Sequence, residues 1–218
     1  MPAQLKIDFV SDVSCPWCAI GLTALEQALA RTVDTVQATL HFEPFELNPN
    51  MPPQGQDITE HLTQKYGSTP EQQTQIRENI RQRGAALGFT FRAAGRSRIY
   101  NTFDAHRLLH WAALEGADGQ QHTLKKALLQ AYFTDGKSPA DHAVLLDCVD
   151  AVGLDRNRAA QVLQSDEYAA QVREREALFH RLGIHAVPAV IINDRHLIQG
   201  GQPVEVFERA LRHLADHG

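Results

Sequence analysis

The chain has 218 residues, three cysteines and a formal net charge of -5. That length buries a core without covalent staples, and so few cysteines exclude a secreted disulfide scaffold. The acidic balance leaves no basic stripe for nucleic acid, although residues 77–98 are locally basic, with arginines and no lysine. The longest apolar run, residues 186–192, is far too short to span a bilayer, and residues 1–6 lack the charged-then-apolar layout of a signal segment. The expectation is a soluble, cytoplasmic protein with neither nucleic acid nor membrane as partner.

Leu5, Ile7 and Phe9 alternate with Lys6 and Asp8, which predicts a strand over residues 5–12 entering a core. Ser14-Cys15-Pro16-Trp17-Cys18 follows, with a proline suited to a first helical turn, and Ile20, Leu22, Leu25, Ala28 and Leu29 continue on a helical period. Residues 36–45 are rich in β-formers and end in the turn Asn48-Pro49-Asn50-Met51-Pro52-Pro53. Strand, helix, strand predicts a crossover and a parallel pair.

From residue 57 to 183 the pattern is helix after helix. Thr69-Pro70-Glu71 opens one that Gly88 closes, and Thr102 caps another that ends at Gly116. Ser138-Pro139-Ala140-Asp141 is a further start signal with Gly153 as its stop, and shorter helices are expected over 117–133, 155–164 and 166–182. The β-pattern returns at Val187-Pro188-Ala189-Val190-Ile191-Ile192, turns at Asn193-Asp194 and resumes at residues 196–199. Pro203 then begins an amphipathic helix carrying Val206, Phe207, Ala210, Leu211 and Leu214. The reading is an α/β domain, discontinuous over 1–56 and 184–218, split by an all-helical insertion over 57–183.

Two thiols three positions apart at a strand-to-helix junction can close a small disulfide ring, and the helix start can hold one as a thiolate. In a reducing cytoplasm such a pair is catalytic, redox-sensing or metal-binding rather than structural. A zinc half-site would need two more ligands, and His106 and His110, although four apart on a helix, have neither an intervening Glu nor a third partner. No metal is expected.

Three motifs in order resemble the DsbA family of thioredoxin-fold oxidoreductases, and more closely its FrnE-like cytoplasmic branch. They are Ser-Asp-Val-x-Cys-Pro-Trp-Cys at residues 11–18, Asn-Thr-x-x-Ala-His-Arg-Leu at 101–108 and Gly-x-x-x-Val-Pro at 183–188. The likeness covers essentially the whole chain. It implies a thioredoxin fold with a large helical insertion and thiol-disulfide oxidoreductase or isomerase activity. It also implies a cis peptide at Val187-Pro188 facing Cys15, with the Val187 backbone free to pair with an extended substrate. Asn101 and His106 would then border the groove. Where many relatives have Ser-Gly-Ala-Gln after the hairpin, this chain has Gln199-Gly200-Gly201-Gln202.

On this reading Cys15, at the helix N-cap, is the attacking sulfur and Cys18, one turn in, resolves the mixed disulfide. Pro16-Trp17 supplies no cation, so less oxidising power is expected than in relatives with a His there. Trp17 at a loop tip either docks apolar substrate or packs on its own domain. Asp8 is a candidate proton shuttle for Cys18 or a plain surface carboxylate, and Asp12 competes for the role or caps the turn. Cys148 reads as a small core residue, with a regulatory thiol as the other reading. No cofactor is expected beyond the Cys15-Cys18 disulfide, with glutathione as a candidate co-substrate. The partners are a disulfide-bearing protein or small molecule and a cellular thiol system that recycles the motif. The competing reading is a glutathione-dependent isomerase or transferase of the kappa and hydroxychromene-carboxylate isomerase type. Those folds use a Ser or a lone thiol, and Cys18 argues against them.

Overall fold

The computed structural model describes residues 2–52 and 54–217, so that Pro53, the last residue of the expected turn, lies outside the described residues. Strand β1 (Ala3–Ser11) leads into helix α1 (Pro16–Arg31) and returns as β2 (Val36–Pro44). β1 and β2 run parallel and in step from Ala3 opposite Val36 to Ser11 opposite Pro44, as a strand-helix-strand connection requires. Pro44, without an N–H to donate, ends β2. The chain re-enters the sheet as β5 (Ala189–Ile192) and β6 (His196–Gln199), a hairpin whose turn residues Asn193 and Asp194 both take positive φ. β5 lies antiparallel beside β1, giving the order β2-β1-β5-β6. Helix α9 (Val204–His217) closes the chain, burying Val204, Phe207, Leu211 and Leu214; Val206 and Ala210 are only half-buried.

Between the two halves stand α2 (Ile58–Tyr66), α3 (Pro70–Ala86), α4 (Phe103–Glu115), α5 (Gln120–Phe133), α6 (His142–Ala151), α7 (Arg156–Leu163) and α8 (Ala169–Arg181). Thr69 caps α3 in a full capping box with Gln72. The insertion is not wholly helical, because β3 (Gln56–Asp57) and β4 (Arg98–Ile99) form a short antiparallel ribbon. Two start signals also read differently in three dimensions. At α4 the Asn101 side chain, not Thr102, accepts the Phe103 N–H at 2.9 Å. At α6 Ser138 spends its hydroxyl on the Ala140 N–H, so Asp141 becomes the cap and the helix begins at His142.

The alternation in β1 sorts the core into two faces. Leu5, Ile7 and Phe9 join Cys18, Leu22 and Leu25 of α1, Phe207 and Leu211 of α9, and Leu129, Tyr132 and Phe133 of α5. Val10 points the other way, onto Phe45, Ile184, Ala189 and Phe179 of α8. A third cluster lies within helices α4 to α7, and Val13, from the loop just before the two cysteines, is inserted into it. That one side chain ties the loop carrying the motif to the helical layer.

Candidate active site

The turn into α1 is set by Asp12. Its Oδ1 accepts the Ser14 N–H at 3.0 Å and its Oδ2 the Leu47 N–H at 2.7 Å, while its carbonyl takes the Cys15 N–H at 3.2 Å. These bonds bring Cys15 to the N-cap in an extended conformation with Pro16 following, and no acidic side chain occupies the first turn. The sulfur therefore sits at the positive end of the helix without a competing anion on that helix.

Cys15 is 3% exposed and Cys18 is fully buried, both as free thiols. Their acidities diverge. The Cys18 side chain hydrogen-bonds the Cys15 sulfur and lowers its pKa, the Cys18 and Trp17 backbone N–H groups act the same way, and burial and the Asp12 charge oppose them. Burial pushes the Cys18 thiol well above its ordinary value, and its bond to Cys15 pushes it further. One sulfur is prepared to be a thiolate and the other to keep its proton.

Opposite them the Val187-Pro188 peptide is cis, and Cys15 Sγ lies 3.6 Å from the Val187 carbonyl oxygen. Two glycines permit this closeness. A Cβ on Gly21 would stand 3.0 Å from Pro188 Cγ, and one on Gly201 would stand 3.0 Å from the Trp17 carbonyl. The departure at residues 199–202 thus places a glycine directly against the motif.

Trp17 is not at a loop tip. It lies in the first turn of α1, half-buried, with the Arg83 guanidinium of α3 5.3 Å above its ring. Together with Gln75, Ile76 and Asn79 these two line an open groove of about 460 Å³ beside the motif. Tyr66, at the end of α2, is exposed and close enough for the Cys15 charge to act on it.

Three expected site residues lie elsewhere. Asp8 is on the face of β1 opposite Cys18 and is bonded by Lys6 at 3.0 Å, because strand alternation carries residue 8 with Val10 and away from Phe9. It does not face the motif. His106 is only 2% exposed and stands behind Asp12, its Nε2 3.7 Å from Oδ1, so it is part of the wall rather than the groove surface. Asn101 is likewise engaged internally, capping α4 and donating to Glu46 Oε1 at 3.2 Å. His110 packs on the Tyr168 ring and so diverges from His106.

The buried acid near the cysteines is Asp12. Burial raises its pKa, but His106 and the Ser14 and Leu47 N–H groups outweigh that and hold it at about 2. Two further residues were not singled out from the sequence. Arg96 donates to the Ser14 carbonyl at 2.9 Å and lies over the Tyr132 and Phe133 rings. Lys125 of α5 is wholly buried, and the charged groups that act on it are Cys18, Asp12 and Cys15. Its signal was legible: Lys125, Leu128, Leu129 and Tyr132 follow the i, i+3, i+4, i+7 spacing of a core face, with a lysine in an apolar place. Cys148 is buried among the helices, and burial pushes its thiol up to about 11.

A family model described as a DSBA-like thioredoxin domain matches residues 6–212. The crystal structure of a probable DsbA oxidoreductase from Streptomyces coelicolor is 32% identical, covering 98% of this chain and 91% of that one with a TM-score of 0.89. The uncharacterized Bacillus subtilis protein YwbO is 28% identical over 214 residues, 97% of this chain and 96% of its own. The fold alone extends to the cytosolic disulfide reductase DsbM from Pseudomonas aeruginosa, solved with GSH. It is 18% identical, with a TM-score of 0.64 over 97% of this chain and 99% of that one.

Proposed function

Because the chain belongs to the DSBA-like thioredoxin domain family, we propose that it is a thiol-disulfide oxidoreductase working through Cys15 and Cys18. The observation that carries this is the placement of the two thiols: Cys15 at the N-cap of α1 with its Sγ 3.6 Å from the Val187 carbonyl, and Cys18 one turn in and fully buried. The Cys15 thiolate attacks a substrate disulfide, forming a mixed disulfide and expelling one substrate sulfur. Cys18 then attacks Cys15 Sγ, the second substrate sulfur leaves with the electron pair, and the motif is left oxidised by two electrons. A cellular thiol such as glutathione resets it, and the reverse sequence oxidises a dithiol.

An extended substrate segment pairs with the Val187 backbone beside the cis peptide, and its flanking side chains meet Trp17, Ile76 and Tyr66. Within the family, the motifs at residues 11–18, 101–108 and 183–188 support a reading as a member of the FrnE-like branch working in the cytoplasm. No described helix is long and apolar enough to cross a membrane.

The test is reduction of insulin disulfides by the wild type, Cys15→Ser and Cys18→Ser. Loss of turnover in both variants, with a mixed disulfide accumulating on Cys15 in Cys18→Ser, is expected. Full activity of Cys18→Ser with a glutathione-linked substrate would instead establish the isomerase or transferase chemistry.

A further inference from the structure

Resolution demands that Cys18 lose a proton in a place where burial opposes the thiolate. An acceptor must be at hand. Asp12 is a poor one, since both its oxygens already accept backbone N–H groups and it is acidic. Asp8 is on the wrong face. Lys125 is wholly buried on α5, and among the described residues its Nζ has no hydrogen-bond partner. Burial disfavours the ammonium there and so favours the neutral amine, against the opposing charges of Cys18, Asp12 and Cys15. Burial is the first cause of its lowered pKa.

The groups facing it come from three elements. Cys15 caps α1 and Cys18 lies in its first turn, Asp12 follows β1, and His106 of α4 stands behind Asp12. Tyr132, two turns further along α5, is covered by Arg96.

We infer that Lys125 is the acid-base residue that takes up the Cys18 proton during resolution. The inference rests on the dithiol cycle proposed above. In that step the Cys18 thiol gives its proton to neutral Lys125 Nζ, and the Cys18 thiolate attacks Cys15 Sγ. The Cys15-Cys18 bond forms as the bond from Cys15 to the substrate sulfur breaks. The substrate thiolate leaves with the electron pair, and the proton on Lys125 passes to it. In the oxidising direction Lys125 delivers the proton back to Cys18.

Stopped-flow reaction of the reduced protein with dithiobis(nitrobenzoate) separates the steps, since Cys15 attack releases the first nitrothiobenzoate and Cys18 resolution the second. Lys125→Met should slow the second release about 100-fold at neutral pH, the scale of a lost acid-base group, and alter the first by no more than about tenfold. Lys125→Arg should stay slow, because arginine keeps the charge but cannot give up its proton. An unchanged second phase in Lys125→Met, or a second phase restored in Lys125→Arg, overturns the inference. Should neither variant fold, the wild-type profile decides. The second-phase rate must level off below about pH 8.5, the value of a free thiol, and a rate that keeps climbing above it overturns the inference. A wild type that releases a single equivalent removes the dithiol cycle itself, which is a different failure.

Discussion

The two faces of the four-stranded sheet treat buried charge in opposite ways. On the face under α8 the carboxylates are answered by cations in direct contact: Asp8 by Lys6 at 3.0 Å, Glu43 by Arg175 at 2.5 Å, Glu46 by Arg173, and Glu176 by Arg173 at 2.8 Å. On the face under α1, Asp12 is satisfied by backbone N–H groups, Cys15 and Cys18 share one hydrogen bond, and the Lys125 amine has no partner among the described residues. A group locked to a counter-ion keeps one protonation state, whereas an unlocked one can change state at modest cost. The same residue types thus serve stability behind the sheet and chemistry in front of it.

Breaking the front face should have the largest effect. Cys15→Ser is expected to reduce insulin turnover to the uncatalysed background with little change in fold, measured by turbidity and circular dichroism together. A Cys15→Ser protein that still turned over would separate the chemistry from this face altogether.

Asp12→Asn comes next, since it removes a charge whose folded pKa of about 2 lies below the ordinary 3.8. A depressed carboxylate stabilises the fold above 3.8 and loses that contribution as pH falls through about 2. The variant should therefore be less stable by about 2 kcal/mol near neutral pH, with the gap closing in acid, as urea titrations at several pH values would show. The same change removes the anion that raises the Cys15 pKa, so ultraviolet titration of the thiolate should shift to lower pH.

Gly21→Ala sharpens the role of close packing under Pro188. The added methyl meets Pro188 Cγ at 3.0 Å, tight enough that α1 or the proline must give. A loss of about 1 kcal/mol or more is expected in equilibrium unfolding, along with slower turnover as Cys15 moves relative to Val187. Neutral behaviour would mean that the two segments yield independently.

Asp8→Asn is the smallest and the contrasting case. Its partner Lys6 is largely solvated, so the lost pair should cost about 1 kcal/mol or less, with both phases of nitrothiobenzoate release unchanged. A slowed second phase in this variant would erase the distinction between the faces.

Much of the molecule is written locally. The alternation Leu5, Ile7, Phe9 names β1 and its core face, Thr69-Pro70 starts α3, and Asn193-Asp194 turns the last hairpin, because each depends on neighbours within one turn or one strand. Cys15-Pro16 at a helix start likewise carries its own thiolate chemistry, as the N-terminal N–H groups are generated by the helix beneath it. What the chain could not declare by itself is which buried groups share a space. Asp8 and Asp12 sit on the same stretch and share a parity, but Asp12 lies past the end of β1, and its bonds to the Ser14 and Leu47 N–H groups and the placing of His106 decide that only Asp12 lies with the cysteines. Lys125 is 107 positions from Cys18. Its place on a core face is visible in the spacing of α5, but only the packing of α5 onto α1 brings the helix that carries it against the resolving thiol. Periodicity is a property of the backbone nearby, whereas a proton partner is chosen by distances that tertiary packing alone creates.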